Sequence, residues 1–207
     1  MATTSTMQHT IAREVTLKGV GLHTGKEVTL KFIPAPEDHG YVFQRIDLPE
    51  SPLVPADAQY VENTQRGTNL NKEGVHINTS EHVLSALVGL EIDNVLIQLD
   101  APEPPIMDGS AKFFVEALES AGLVEQQKPR YEYVVKEVFT CKDEETGSEI
   151  TLIPSDTYQV CTMVDFGTKI LGTQNASLND LSEFKSEIAD ARTFSFLHEL
   201  ETLLDNG

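Results

Sequence analysis

The stretch Thr79-Ser80-Glu81-His82-Val83-Leu84-Ser85-Ala86-Leu87-Val88-Gly89-Leu90, with Asn94 to Leu99 just behind it, decides how this chain of 207 residues is read. Val83, Leu84, Leu87 and Val88 recur at helical spacing and give the segment a face to bury. Thr79 or Ser80 offers an oxygen for the N-cap, and Glu81 in the first turn suits the helix dipole. His82 shares its stripe with Ala86 and Gly89, small residues that leave room beside the ring. Asn94 to Leu99 is rich in Val, Ile and Leu and reads as a strand.

Working outward, residues 9 to 18 and 27 to 33 alternate in polarity, as half-buried strands do, and Gly19-Val20-Gly21-Leu22-His23-Thr24-Gly25 separates them. Residues 40 to 45, 67 to 70 and 75 to 78 are shorter extended pieces. Beyond Leu99, a loop punctuated by Pro102, Pro104 and Pro105 leads to a second predicted helix, from about Ala111 to Ser120. Its expected stripe is Phe113, Phe114, Ala117 and Leu118, its cap Asp108 or Ser110 and its stop Gly122. Strands resume at Tyr131 to Thr140, Glu149 to Ile153 and Tyr158 to Phe166, with Lys142 to Ser148 as a hairpin turn. Helices are expected at Asn179 to Ala189 and Phe196 to Leu204.

Both halves thus begin with strands and pass to helices, and Glu27-Val28-Thr29-Leu30 has an echo in Glu149-Ile150-Thr151-Leu152. The expectation is an α+β protein of two related units. Residues 1–8 form a disordered start, 9–124 the first domain, 125–130 a polar linker and 131–207 the opening of a second, incomplete domain.

Fifteen basic against 33 acidic residues leave a net charge of −18. That balance argues against sequence-independent nucleic acid binding and against an anionic membrane surface. No stretch approaches the ~20 apolar residues of a membrane helix, and the polar start lacks the apolar core of a secretory signal. The expected location is the cytoplasm, where Cys141 and Cys161 would be buried thiols, although spacing alone leaves a disulfide between them open.

A Glu-His pair on one helix can supply a general base and a metal ligand, yet a first-turn glutamate is equally explained by the dipole. Catalytic zinc needs three protein ligands, and no His-Glu-x-x-His is present. A nucleophile elbow and a Walker loop are absent too, and Gly19-x-Gly21-x-x-x-Gly25 has the wrong last spacing for a dinucleotide fingerprint. What stands out is a set of well-marked loops.

Five of these segments, in order, carry a resemblance. They are Gly19-Val20-Gly21-Leu22-His23-Thr24-Gly25, Thr79-Ser80-Glu81-His82, Gly89-Leu90-Glu91-Ile92-Asp93-Asn94, Ala101-Pro102-Glu103-Pro104-Pro105-Ile106-Met107-Asp108-Gly109-Ser110-Ala111 and Ala191-Arg192-Thr193-Phe194. Together they resemble the zinc-dependent UDP-3-O-acyl-N-acetylglucosamine deacetylases of lipid A biosynthesis, from about Ile11 to the C-terminus. The resemblance implies two α+β domains with helices packed between two sheets and a site at the domain junction. It implies Glu81 as general base, His82 as first Zn2+ ligand and Thr193 as hydrogen-bond donor to the oxyanion. It places Leu22 and His23 at the pocket mouth, Phe194 against the sugar and Glu199 near the nucleotide.

The substrate so implied is a UDP-linked acylated glucosamine, whose acyl chain would bring the enzyme near a membrane surface. Fusion to an acyl-carrier-protein dehydratase is also implied for some members. The family's later His-x-x-x-Asp zinc segment has no match here, since His198-Glu199-Leu200-Glu201-Thr202 departs from it. The expectation is therefore that the remaining His and Asp ligands lie outside this chain, and that the chain alone is inactive. The competing expectation is a metal-free module that binds an acylated or nucleotide-linked sugar.

Overall fold

The computed structural model describes residues 7–64 and 66–196. Its centre is a five-stranded sheet built from β2 (Val15–Val20), β3 (Glu27–Pro34), β4 (Tyr41–Arg45), β5 (Leu53–Pro55) and β9 (Val95–Leu99), in the order β2-β3-β9-β4-β5. Neighbours are antiparallel except β4 and β9, which run parallel. Alternation sets the inner face. Val15, Phe32, Ile97, Phe43 and Val54 form one row across the sheet, and Leu17, Leu30 and Leu99 a second, with Arg45 at its end. Phe32, Leu30, Ile97, Leu99, Phe43 and Val54 are all fully buried. The opposite face carries polar pairs such as Gln98 Nε2 donating to Gln44 Oε1 at 2.8 Å.

A second sheet holds β6 (Val61–Asn63), β7 (Asn69–Lys72) and β8 (Val75–Ile77), all antiparallel. Arg45 links the two sheets: its guanidinium grips both Asp47 oxygens at 2.8 Å and donates to the His76 carbonyl at 2.8 Å. Helices α1 (Glu81–Gly89) and α2 (Lys112–Ala121) cover the inner face, α2 against β2 and α1 against α2. The architecture is α+β, as the alternation and the two helical stretches led one to expect.

Several details differ from the sequence reading. On α1 the buried residues are Val83, Ala86 and Leu87, while Val88 is exposed; on α2 they are Phe114, Val115, Leu118 and Ala121, while Phe113 is exposed. In both cases the true stripe is rotated by about one residue. Neither helix has a side-chain N-cap hydrogen bond: Ser80 and Ala111 occupy the cap positions. The Ser80 hydroxyl donates instead to the Thr68 carbonyl at 2.9 Å, because the segment just before β7 packs against the helix start.

Met7 and Gln8, assigned to a disordered start, belong to β1 (Met7–Ile11), and Gln8 is buried. Residues 125–130, assigned to a linker, are mostly strand. Strand β10 (Leu123–Pro129) pairs antiparallel with β1 through Ile11–Leu123 and His9–Glu125. Their polar side chains are used inward: Asn94 Nδ2 donates to Gln126 Oε1 at 2.8 Å, and Gln126 Nε2 to the Ala35 carbonyl at 3.0 Å. Arg130 closes the stretch with bonds to Asp93 Oδ1, Glu91 Oε1 and the Glu91 carbonyl, at 2.8, 2.9 and 2.9 Å. A run that looks like solvated connector is thus a polar seam.

Beyond it lie two hairpins, β11 (Phe139–Lys142) with β12 (Glu149–Leu152), and β13 (Val160–Asp165) with β14 (Thr173–Leu178). Strand β14 has no counterpart in the sequence reading, and Tyr131 to Thr140 is strand only at its end. Cys141 and Cys161 are free and exposed rather than buried, because in this structure each hairpin pairs only with itself. The expected helix at Asn179 to Ala189 is a 3-10 turn, Leu181–Glu183, followed by a π turn, Phe184–Ile188. The helix expected at Phe196 to Leu204 falls, past Phe196, outside the described residues.

Candidate functional site

The start of α1 is tied down from one side by the segment at Thr68. Ser80 N–H donates to the Thr68 carbonyl at 3.1 Å, and Thr68 N–H donates back to Glu81 Oε2 at 2.8 Å. One oxygen of Glu81 is therefore held by a backbone amide, while Oε1 has no hydrogen bond among the described residues. Gly67 makes the approach feasible, since a Cβ there would lie 3.3 Å from Glu81 Oε1 and 3.2 Å from Thr79 Cα. The half-buried His82 makes no ring hydrogen bond among the described residues; only its carbonyl is engaged, by the Ser85 hydroxyl at 2.9 Å. An oriented carboxylate with one free oxygen and an unpartnered imidazole stand side by side on one helical turn.

The glycine loop comes to the same place. His23 Nε2 lies 3.2 Å from the Arg66 carbonyl, beside the segment that holds Glu81. Both His23 and Leu22 are exposed. Behind them is a group that sequence reasoning quoted but gave no role: Glu103, only 1% exposed. It accepts from His23 N–H, Thr24 N–H and the Thr24 and Thr79 hydroxyls, at 2.9–3.1 Å. The signal that could have found it is a glutamate between three prolines, where a solvated loop has no use for a fixed carboxylate.

The proline loop carries the third element. Ile106 N–H donates to the Val20 carbonyl at 2.9 Å, and Gly19 brings β2 so close that a Cβ there would meet Pro105 Cβ at 2.9 Å. At its far end Gly109, with φ 86°, accepts from Thr193 N–H at 2.8 Å, and Ala111 N–H donates to the Ala189 carbonyl at 3.1 Å. Hydrogen bonds from Ser110 hold the Asp108 carboxyl below the usual carboxylate range, and the charge of Arg192 adds to this. Thr193 is thus anchored to the loop; among the described residues no direct bond joins it to Glu81 or His82. Phe194, 62% exposed, packs edge-on against Phe166 and Phe196, with centroids 5.1 and 5.6 Å away. Glu199 lies outside the described residues.

Among the described residues no three His, Cys, Asp or Glu side chains gather as a metal site. His82, with free ring nitrogens, suits one zinc ligand, but three are needed. These residues do not by themselves make a metal centre.

Comparison with known proteins gives a consistent picture. The family described as UDP-3-O-acyl N-acetylglycosamine deacetylase matches residues 8–207. A protein named bifunctional enzyme LpxC/FabZ, from Bacteroides thetaiotaomicron, is 44% identical over 97% of this chain and 43% of its own length. One of the same name from Porphyromonas gingivalis is 44% identical over 96% and 43%. A UDP-3-O-acyl-N-acetylglucosamine deacetylase from Myxococcus xanthus is 39% identical over 100% of this chain and 66% of its own length. The chain spans somewhat under half the length of the bifunctional relatives and about two thirds of the others. With the model matched along nearly its whole length, this chain belongs to the UDP-3-O-acyl N-acetylglycosamine deacetylase family.

Proposed function

We propose that this chain supplies the base-bearing part of a deacetylase that removes the N-acetyl group of a UDP-3-O-acyl-N-acetylglucosamine in lipid A synthesis. The observation that carries this reading is Glu81: Oε2 fixed by the Thr68 amide, Oε1 free, on a helix start beside His82. Family membership over residues 8–207 supports the substrate class.

In this reading Glu81 Oε1 takes the proton of the water as it attacks the N-acetyl carbonyl; the amine nitrogen is protonated as the C–N bond breaks, and acetate and the free amine of the UDP-3-O-acylglucosamine are formed. The fixed Oε2 keeps the carboxylate from turning away from the substrate. The Thr193 hydroxyl, on a backbone anchored to Gly109, donates to the oxygen that gains charge as the carbonyl is attacked. Leu22 and His23, exposed beside the α1 start, line the mouth, and Phe194 meets the sugar. Glu199 is kept for the nucleotide. His82 would be the zinc ligand that this chain contributes, with the others outside the described residues, and bound zinc would supply a water of pKa about 7.

None of the helices is long and apolar enough to cross a membrane among the described residues. A cytoplasmic enzyme that meets the membrane surface only through the substrate's acyl chain agrees with that. The bifunctional relatives support a parent fused to a second enzyme, the dehydratase.

The test is Glu81→Gln in the full-length protein, with acetate release and bound zinc both measured. Loss of kcat by about 100-fold or more is expected, with zinc retained, as for removal of a general base. Turnover at the parental rate would show that Glu81 is not the base. Substrate binding that survives both chelation and His82→Ala would favour the metal-free module instead.

A further inference from the structure

We infer that Glu103 is a positioning residue that couples the glycine loop at His23 to the start of α1, so that one buried carboxylate sets both the pocket mouth and Glu81. This rests on the deacetylase reading above. Glutamate is almost never fully buried unless it is paired, and no lysine, arginine or histidine forms an ion pair with Glu103 among the described residues. What stabilises it is a full set of donors from two separate segments. From the glycine loop, His23 N–H is shared between both oxygens at 3.1 Å, and Thr24 gives its N–H and its hydroxyl to Oε2, each at 3.0 Å. From the other side the Thr79 hydroxyl reaches Oε1 at 2.9 Å. Gly21 leaves the space: a Cβ there would lie 2.6 Å from Oε2.

Thr79 is the lever. Its φ is 51°, a left-handed conformation that a β-branched residue rarely adopts unless its surroundings impose it. The bond to Glu103 on the side chain and a bond from its N–H to Asn69 Oδ1, at 3.2 Å, impose it here. The turn so made sends Ser80 onto the Thr68 carbonyl, and Thr68 N–H returns to Glu81 Oε2. Glu103 therefore acts on Glu81 through two residues of backbone, and on His23 through one amide. A carboxylate that merely stabilised the fold would not divide its effects in this way.

The division is what the experiment reads, by deacetylation kinetics on the full-length protein together with hydrogen–deuterium exchange. Thr79→Val cuts only the arm to α1: kcat should fall about tenfold with KM within about twofold, and Thr79→Ser, which keeps the hydroxyl, should restore it. Thr24→Val cuts only the loop arm: KM should rise about fivefold with kcat within about twofold. Glu103→Gln should do both, and should speed amide exchange at residues 19–25 and 66–81 while the rest of the first 120 residues keeps its protection. Parental kcat in Thr79→Val, no rescue by Thr79→Ser, or uniform loss of protection in Glu103→Gln would each overturn the coupling. Exchange does not depend on turnover. If Glu81→Gln proved fully active while Glu103→Gln still loosened both segments, the coupling would stand and the role of Glu81 would fall.

Discussion

At the scale of single residues, the site is organised by what has no side chain. Gly21 sits where a Cβ would come within 2.4 Å of Thr24 Oγ1 and 2.6 Å of Glu103 Oε2. Contacts that short require something to move, and the moving partners are the bonded pair that seats the glycine loop. Gly21→Ala is expected to lower stability by about 2 kcal/mol, measured by urea unfolding, because overpacking costs that much and a buried hydrogen-bonded carboxylate is disturbed with it. Gly25→Ala makes a control for the loop, since no atom lies within 4 Å of its Cβ position, although its φ of 62° adds strain. Its sequence context alone could not have told the two apart, because both belong to the same motif.

At the scale of elements, α1 is held at both ends by chain that is distant in sequence. Its start is fixed from Thr68, and its last residue, Gly89, is covered by Phe184: a Cβ on Gly89 would lie 2.1 Å from that ring. Phe184 is buried although it belongs to an irregular turn, so its ring docks the Leu181–Ile188 segment on the end of α1, while Leu181, Ile188 and Ala189 add to the core and Lys185 pairs with Glu119 on α2. Gly89→Ala should therefore release the segment rather than distort the helix, since alanine itself favours helix by up to about 1 kcal/mol over glycine. Limited proteolysis around residues 181–193 should accelerate, with the helix intact by circular dichroism. In a Phe184→Ala background the same change should cost nothing further, a coupling that a double-mutant cycle reads directly. If Gly89→Ala destabilises equally in both backgrounds, the ring contact is not what decides the position.

Across the whole molecule, the five-stranded and three-stranded sheets are joined by Arg45, which is paired with Asp47 and donates to the His76 carbonyl. Arg45 is buried, and its hydrogen bonds hold the Asp47 carboxyl below the usual carboxylate range. The folded state therefore binds this proton less readily than the unfolded chain does. The resulting stabilisation is complete above the ordinary carboxylate value of 3.8 and is lost as pH falls below it, through the depressed folded value. Acid unfolding followed from pH 6 to pH 2 should show this loss, and Asp47→Asn should remove that part of the pH dependence. The variant should also be less stable at pH 7 by about 2 kcal/mol, because the guanidinium keeps its burial and loses its charged partner. A pH profile unchanged by Asp47→Asn would mean that other carboxylates dominate acid unfolding.

The residues themselves determined the α+β class, the two helices, most strands of the central sheet and the family, because each rests on local periodicity or on motifs that survive as strings. They did not mark β5 or the break between β1 and β2. Glu81 and His82 were legible as a pair for the same reason. Tertiary structure alone decided what their neighbourhood is. That Thr68 orients Glu81, that Thr79 spends its hydroxyl on Glu103 rather than on a helix cap, and that the polar run ending at Arg130 is a seam are all matters of long-range hydrogen bonding. A polar side chain carries no mark of which distant partner it will find, and a buried carboxylate reads like an exposed one until the loops that satisfy it are folded around it.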